Sequence, residues 1–319
     1  MVNFYMIFGL PGSGKSYYAN NLYNIEHRDV EVVSSDIIRK ELFGDENDQK
    51  HNNEVFNEVH NRIHNAIKEG RDVCYDATNL SRKRRKAFLK TLQQIKNVKI
   101  IKHCLVIATH YDICVEQNEK RERVVPKEVI LRMYKTLTFP RIDEGWDIIR
   151  IIGSRNIASN IDTEYYFHQC VGFNQDNPHH TLTLSEHLEK CQEGVLNVSA
   201  AAYDIETLKE ASLFHDIGKP VCKTYTTFNG TIDDHAHYYN HAEVGAYIMA
   251  CCYSTGNELM WCRSTPYLIS KELKIISLIQ WHMEFFNSNY NVLEKVEDLY
   301  GKEFANDLRI LHNSDVDAH

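Results

Sequence analysis

The chain has 319 residues, enough for about two domains that each bury their own core. Hydrophobic residues make up 43% of it and charged residues 25%, with 13 Phe and 18 Tyr, which excludes a disordered or low-complexity chain. No apolar run reaches the ~18–20 residues of a membrane helix, so we expect a soluble protein. The net charge of −8 provides no general attraction for nucleic acid, so a polynucleotide would need a local basic patch. Nine cysteines without a C-x-x-C pair favour a reducing, cytoplasmic location.

Residues 1–152 alternate between strand-like and helix-like patterns. The predicted strands are Phe4–Phe8, Val30–Val33, Asp72–Tyr75 and Lys99–Ile107. The predicted helices are Lys15–Leu22, Asn52–Lys68, Arg82–Gln94 and Glu128–Leu137. Strands separated by helices predict an α/β domain with a parallel sheet flanked by helices.

A polar stretch at residues 153–164 is typical of a linker. Beyond it, residues 165–319 show little strand signal and predict an all-α domain. Its clearest helical windows are Leu184–Glu193, Ile205–His215, Ala242–Cys252 and Ser270–Phe286.

A glycine-rich loop follows the first predicted strand and opens the first predicted helix. It has the pattern G-x-x-x-x-G-K-[ST], and its candidate binding residues are Gly9, Gly12, Ser13, Gly14, Lys15 and Ser16. The glycines allow backbone N–H groups to face phosphate oxygens. Lys15 is expected to reach the β- and γ-phosphates and Ser16 to ligate Mg²⁺. The loop therefore predicts binding of ATP or another nucleoside triphosphate with Mg²⁺.

Two carboxylates follow the next two strands, at the sheet edge where α/β proteins bind ligands. Asp36 can take a proton from an attacking hydroxyl, while Arg39 one turn later can hold an acceptor phosphate. Asp36 can equally be a helix N-cap, and spacing alone leaves both interpretations open. Asp76 ends an apolar strand, as a carboxylate that supports the nucleotide's Mg²⁺ would.

A basic run at Arg82–Lys86 indicates either a solvated helix face or a patch for a polynucleotide backbone. This run lies within DATNLSRKRRKAF, and the segment NEKRERVVPKEVILRMYKTL follows it. With GLPGSGKS and the D-x-x-R of Asp36–Arg39, these segments resemble the kinase domain of T4-type polynucleotide 5′-kinases over roughly residues 1–150.

The resemblance implies roles for particular side chains. Asp36 would be the general base that deprotonates a 5′-OH, and Arg39 would contact the acceptor's 3′-side phosphate. A lid arginine would clamp the donor phosphates, and the altered spacing leaves both Arg121 and Arg123 as candidates.

Several histidine and aspartate residues in the second half of the chain lie on or next to predicted helices. His215 and Asp216 are adjacent at the end of an apolar helix in LFHDIGKP. The remaining candidates lie on other predicted helices: His187, His241, His282 and Asp315. Each residue taken alone is more often a surface or core residue than a metal ligand.

As a set, these residues resemble the H…HD…H…H…D pattern of the HD phosphohydrolase superfamily over about residues 165–319. The resemblance implies one metal held by His187, His215, Asp216 and Asp315, and a second held by Asp216, His241 and His282. Nitrogen and carboxylate ligands suit Mn, Fe, Co, Ni or Mg²⁺. Lys219 would bind phosphate, His235 or His237 is an alternative to His241, and His180 is a candidate on the substrate side.

Together the two halves resemble bifunctional end-healing enzymes of RNA and DNA repair. Such an enzyme is a polynucleotide 5′-hydroxyl kinase and an HD phosphatase that removes 3′-, 2′- or 2′,3′-cyclic phosphate. The implied partners are RNA or DNA ends and a separate ligase, without a membrane, in the cytoplasm of a bacterium or a phage-infected host. One alternative is a small-molecule or nucleoside kinase fused to an HD nucleotidase or (d)NTP or cyclic-nucleotide phosphohydrolase. The other is a non-catalytic nucleotide switch with a structural metal site.

Overall fold

The computed structural model describes residues 1–153, 161–178, 180–198, 204–265, 269–286 and 291–318. The chain divides into two compact units, and the division falls inside a helix, between Ile130 and Leu131. The first unit comprises Met1–Ile130, Pro140–Ser154 and Cys262–Ser264, and the second comprises Leu131–Phe139, Arg155–Trp261 and Thr265–His319. Most of the linker predicted at 153–164, namely 154–160, lies outside the described residues.

The first unit is built on parallel strands. They are β1 (Val2–Phe8), β2 (Val30–Ser34), β3 (Asp72–Asp76), β4 (Ile100–Ala108) and β5 (Ile148–Gly153). Their order is β2-β3-β1-β4-β5, and each of the four pairings is parallel. The central strand β1 is buried along its whole length, as an apolar strand between two covered sheet faces must be.

Helices connect these strands. They are α1 (Lys15–Asn20), α2 (Leu22–Glu26), α3 (Ser35–Phe43), α4 (Asn52–Lys68), α5 (Arg82–Leu92), α6 (Tyr111–Glu119) and α7 (Lys127–Thr136), which crosses the division between the units. The predicted helix 52–68 is confirmed, and its buried side chains recur at helical spacing: Val55, Val59, Ile63, Ala66 and Ile67. The α/β prediction for this part of the chain is confirmed.

The second unit is mainly helical. Its helices are α8 (Thr163–His168), α9 (Leu184–Asn197), α10 (Ile205–Phe214), α11 (Lys219–Cys222), α12 (His241–Tyr253), α13 (Lys271–Trp281), α14 (Asn291–Tyr300) and α15 (Lys302–Val316). A 3₁₀ turn at His282–Phe285 follows α13, so the predicted single helix 270–286 is in fact two elements. None of the helices in the described ranges combines the length and apolar character that a membrane crossing requires.

The prediction of an all-α second domain is wrong. Strands β6 (Thr224–Thr226) and β7 (Ile232–His237) form an antiparallel hairpin, and a further strand, β8, covers Glu258–Cys262. The hairpin has a physical signal in the sequence, because β-branched threonines flank a turn that contains Asn229-Gly230. Gly230 has a φ of 84°, which suits glycine at this turn.

Candidate active sites

The glycine-rich loop lies between β1 and α1, with its backbone held from two sides. Thr109, just after β4, donates a hydrogen bond from its hydroxyl to the carbonyl of Ser13 (3.0 Å). Gly12 has a φ of 81°, and a Cβ there would lie 2.1 Å from the carbonyl oxygen of Cys114. Only glycine fits this position, because the loop passes directly over the start of α6. Sequence reasoning missed Thr109, which has no motif of its own.

Lys15 and Ser16 of the loop each donate a hydrogen bond. The ammonium of Lys15 donates to the Leu10 carbonyl (2.7 Å), and burial lowers its pKa. The hydroxyl of Ser16 donates to Oδ2 of Asp76 (3.1 Å). Burial raises the pKa of Asp76, while Lys15 and the Ser16 hydrogen bond oppose that rise. A serine hydroxyl beside a carboxylate at the end of β3 is the oxygen ligand arrangement that suits Mg²⁺.

Asp36 lies in the first turn of α3, so it is not the N-cap, which is Ser34. Each of its carboxylate oxygens accepts from a different guanidinium. Nη1 of Arg39 is 2.8 Å from Oδ1, and Nη1 of Arg123 is 2.8 Å from Oδ2. The buried Arg39 also donates to Asn52 (3.1 Å), so its side chain is fixed. Burial lowers the pKa of the Lys15 ammonium, and the charge of Asp36 opposes that shift.

The two candidate lid arginines are distinguished by their surroundings. Arg123 binds Asp36 and donates to Asn47 (2.9 Å). Arg121 is exposed, and its charge adds to the burial that lowers the pKa of Lys15. The buried Asn118 fixes this segment, since its amide exchanges two hydrogen bonds with the backbone of Val125 (2.8 and 3.0 Å).

The basic run Arg82–Lys86 is not a single surface. Arg85 is 1% exposed and makes a bidentate ion pair with the buried Glu144 (2.7 and 2.5 Å). Arg82 also reaches Glu144 (3.3 Å). The exposed cations of α5 are Lys83, Arg84, Lys86 and Lys90. A patch for a polynucleotide backbone would therefore consist of these four side chains.

The second unit brings the six histidine and aspartate candidates into one buried centre. One group of potential ligands is His187, His215, Asp216 and Asp315, and the other is Asp216, His241 and His282. Asp216 belongs to both groups. Its Oδ2 lies 3.5 Å from Nε2 of His187 and of His215, and its Oδ1 lies 3.0 Å from Nε2 of His241. A carboxylate placed this way can bridge two metal ions.

All four imidazoles present the same ring nitrogen to the centre. Their Nδ1 atoms lie between 2.6 and 3.3 Å from backbone carbonyl oxygens, which only accept hydrogen bonds, so Nδ1 carries the proton. In its neutral form each ring offers a lone pair at Nε2, although Asp216 and Asp315 raise the pKa of His187 and of His215. The Nε2 atoms of His187 and His215 are 3.3 Å apart, and so are those of His241 and His282. Paired nitrogens beside carboxylates can share a proton or hold a metal cation, and this set of nitrogen and oxygen donors fits a metal.

Charge strengthens this interpretation. Burial opposes ionisation of Asp216, but Lys219, His215 and His241 outweigh it and lower the pKa well below its usual value. Asp315 behaves similarly: burial raises its pKa, but the neighbouring histidines lower it overall. Two ionised carboxylates in a buried centre favour divalent cations. Lys219 lies 2.6 Å from Asp216 and is held by Gln175 (2.8 Å), at the edge of the centre.

A cavity of about 600 Å³ opens onto this centre. Its walls include Asp216, Lys219, His241, Asp315 and His180. This volume is within the ~300–1,000 Å³ of ordinary small-molecule sites.

The remaining histidines lie outside both groups. His237 lines the cavity but is bound to Asp233 (3.1 Å), and His235 is exposed. His312 stacks on Phe285. His319 lies outside the described residues.

The glycine-rich loop and the parallel sheet of the first unit lie within a segment that matches a known domain family. Residues 4–140 match a family described as an AAA domain. The first unit is a P-loop kinase-like domain, which implies ATP or another nucleoside triphosphate with Mg²⁺. A comparison with curated proteins found no match.

Solved structures resemble the chain only in part. A chain from the Pnkp1/Rnl/Hen1 RNA repair complex is 23% identical, with a TM-score of 0.35, 41% of this chain covered and 42% of that chain. A gluconokinase from Sinorhizobium meliloti 1021 is 16% identical, with a TM-score of 0.31, and 44% of this chain and 78% of that one are covered. The tunicamycin resistance protein of Deinococcus radiodurans is 13% identical, with a TM-score of 0.31. The match covers 42% of this chain and 78% of that protein. The chain thus spans less than half the length of the repair-complex relative.

Proposed function

We propose that the protein heals nucleic-acid ends with two separate active sites. The first unit transfers the γ-phosphoryl group of a nucleoside triphosphate to a 5′-OH. The second unit hydrolyses a 3′-, 2′- or 2′,3′-cyclic phosphate with the help of bound divalent metal. A phosphomonoester end loses inorganic phosphate in one hydrolysis, whereas a cyclic phosphate is first opened to a monoester and then hydrolysed a second time. The final products, a 5′-phosphate and a 3′-OH, are the ends that a separate ligase joins, so a ligase is the partner that the chemistry requires.

The carboxylate of Asp36 supports the kinase assignment. A hydroxyl acceptor needs a base, which Asp36 would be, and the ion pairs with Arg39 and Arg123 hold its carboxylate in place. Phosphoryl transfer otherwise depends on positioning and on cations around the γ-phosphoryl group, which Lys15 and Arg121 supply. The D-x-x-R spacing and the exposed cations of α5 favour a polynucleotide acceptor over a small molecule.

The observation that carries the hydrolase assignment is the convergence of four Nε2 lone pairs on a shared Asp216. His187, His215 and Asp315 would hold one metal with Asp216, and His241 and His282 the other. Metals held by these residues would lower the pKa of a bound water and would stabilise the attacking and leaving oxygens of a phosphoester. Lys219 contributes a fixed positive charge beside Asp216, where a substrate phosphate in the cavity would lie.

The phosphatase assignment is tested with oligonucleotides that carry a 3′-phosphate, a 2′-phosphate or a 2′,3′-cyclic phosphate. Each is incubated with protein that has been stripped of metal and reloaded with Mn²⁺, Ni²⁺ or Mg²⁺. The proposal predicts metal-dependent release of phosphate or opening of the cyclic phosphate. Turnover confined to free nucleotides, with every oligonucleotide left intact, would instead identify a nucleotidase.

A further inference from the structure

Three aromatic rings form a row on the β6–β7 hairpin. The rings of His237 and Tyr239 are nearly parallel, at 8°, with centroids 5.3 Å apart. The ring of Phe228 lies edge-on to Tyr239 at 6.1 Å, and its backbone N–H donates to the Tyr239 hydroxyl (3.1 Å). The hairpin therefore holds this row in place without burying it.

The row is unusually exposed for aromatic residues. Phe228 is 89% exposed, Ile232 on the paired strand is 87% exposed, and Tyr239 is 43% exposed. Single exposed apolar side chains are common on protein surfaces. A row of adjacent exposed rings is less common and is typical of a surface that binds a ligand or a partner.

The row is continuous with the metal-binding cavity. Tyr239 and His237 line its wall together with Asp216 and His241, whereas Phe228 extends the row to the tip of the hairpin. A ligand whose phosphate reaches Asp216 and Lys219 would thus place whatever is attached to that phosphate along the rings.

We propose that this hairpin is a stacking platform for the unpaired terminal bases of the oligonucleotide whose phosphate enters the cavity. The inference rests on the proposed function of the second unit and specifies how its substrate is recognised. Planar nucleobases stack on exposed aromatic rings irrespective of their sequence. A phosphoester without bases would bind the cavity but gain nothing from Phe228.

The charges on the hairpin restrict what the platform binds. Asp233 and Asp234 lie on β7, and Asp234 is exposed. These acids repel a phosphate backbone, so the surface does not suit a long polyanion track or an anionic membrane. The occupant is one or two unstacked bases, and their binding should depend weakly on salt.

The test measures binding with a probe that cannot be hydrolysed. An oligonucleotide that ends in a 3′-methylenephosphonate, which keeps the terminal anion but cannot be hydrolysed, and that carries 2-aminopurine at its last two positions is titrated with the full chain, since stacking quenches the fluorescence of this base. Wild type should quench the signal, and Phe228→Ala should raise the Kd about tenfold, as expected for the loss of one stacked base. Tyr23→Ala, which removes an exposed ring from the first unit, should leave the Kd within twofold.

A second arm separates stacking from a general effect on the hairpin. A competitor oligonucleotide with abasic sites at the same two positions should bind wild type at least about tenfold more weakly than the normal sequence. Phe228→Ala should discriminate less between the two competitors, because one of the rings on which the bases stack has been removed. Equal binding of both competitors by wild type, or unchanged discrimination by Phe228→Ala, would overturn the platform. Failure of the proposed function is a different result, in which wild type loaded with metal releases no phosphate from the 3′-phosphorylated oligonucleotide.

Discussion

The carboxylate of Asp36 is the residue on which the kinase assignment depends most. Two guanidinium groups fix its two oxygens, and one of them belongs to the buried Arg39. This arrangement orients a base before any acceptor arrives, which is what a phosphoryl transferase without covalent catalysis needs.

Replacing Asp36 with Asn should abolish proton acceptance while leaving the nucleotide loop intact. We expect kcat for 5′-OH phosphorylation to fall at least about 100-fold, with nucleotide affinity changed less than threefold. Asp29→Asn removes an exposed carboxylate of the same unit and is the matched control. Steady-state kinetics and nucleotide titration provide both numbers, and a fully active Asp36→Asn enzyme would exclude this residue as the base.

Individual histidines of the second unit should control different metals. His241 belongs only to the group with Asp216 and His282, so His241→Ala should lower the metal content from about two ions per chain to about one. Asp216→Ala should lose both ions, because its carboxylate is common to the two groups. Elemental analysis of the purified variants measures this, with the exposed His235→Ala as control. Loss of both ions from His241→Ala would contradict two separable sites.

At the residue scale, motifs predicted which residues lie together better than they predicted the individual contacts of side chains. The glycine-rich loop and the six histidine and aspartate positions were visible in the sequence, since their spacing is tied to helix and strand ends. The positions of Arg121 and Arg123 were not, because they depend on how the amide of Asn118 holds the backbone of Val125. Asn118 opens the N-E-K-R-E-R segment, but an amide within a charged run has no motif of its own.

Helix α5 is anchored by a buried ion pair rather than by apolar packing alone. Glu144 accepts from Arg85 on both oxygens and from the indole of Trp146 (3.2 Å). Sequence reasoning placed all five residues of Arg82–Lys86 on a surface, because a charged run normally faces water. Burial of Arg85 depends on a carboxylate 59 residues away, which local pattern cannot indicate.

Glu144→Gln should destabilise the first unit strongly. It leaves the guanidinium of Arg85 buried without a charged partner, which costs about 3–5 kcal/mol in comparable cases. We expect thermal loss of nucleotide binding to begin at a clearly lower temperature. Glu69→Gln breaks an exposed ion pair with Arg71 and should have little effect. Equal transition temperatures for the two variants would show that the pair does not hold α5.

The β6–β7 hairpin could not be predicted from the sequence, for a different reason. Its strands are only 3 and 6 residues long, and they lie between helices with stronger periodicity. The Asn-Gly turn was a usable signal, but three-residue strands give almost no alternation to detect. The element missed in this way is also the one that carries the proposed aromatic platform.

At the scale of the whole molecule, each candidate site is built within one unit. The nucleotide loop, Asp36, Arg121 and Arg123 all belong to the first unit, whereas the six histidine and aspartate candidates of the metal centre belong to the second. Neither site needs a residue from the other, so the two activities should be separable by single substitutions. Such separation distinguishes two healing sites from a nucleotide switch that regulates one hydrolase.

The most direct test uses one oligonucleotide with a 5′-OH and a 3′-phosphate, in RNA and DNA versions, incubated with ATP, Mg²⁺ and Mn²⁺. Mass spectrometry follows each end in reactions with wild type, Asp36→Asn and Asp216→Asn. The account predicts that wild type adds a 5′-phosphate and removes the 3′-phosphate, that Asp36→Asn loses only the first change, and that Asp216→Asn loses only the second. An oligonucleotide left unchanged at both ends by the metal-loaded wild type would contradict the end-healing function.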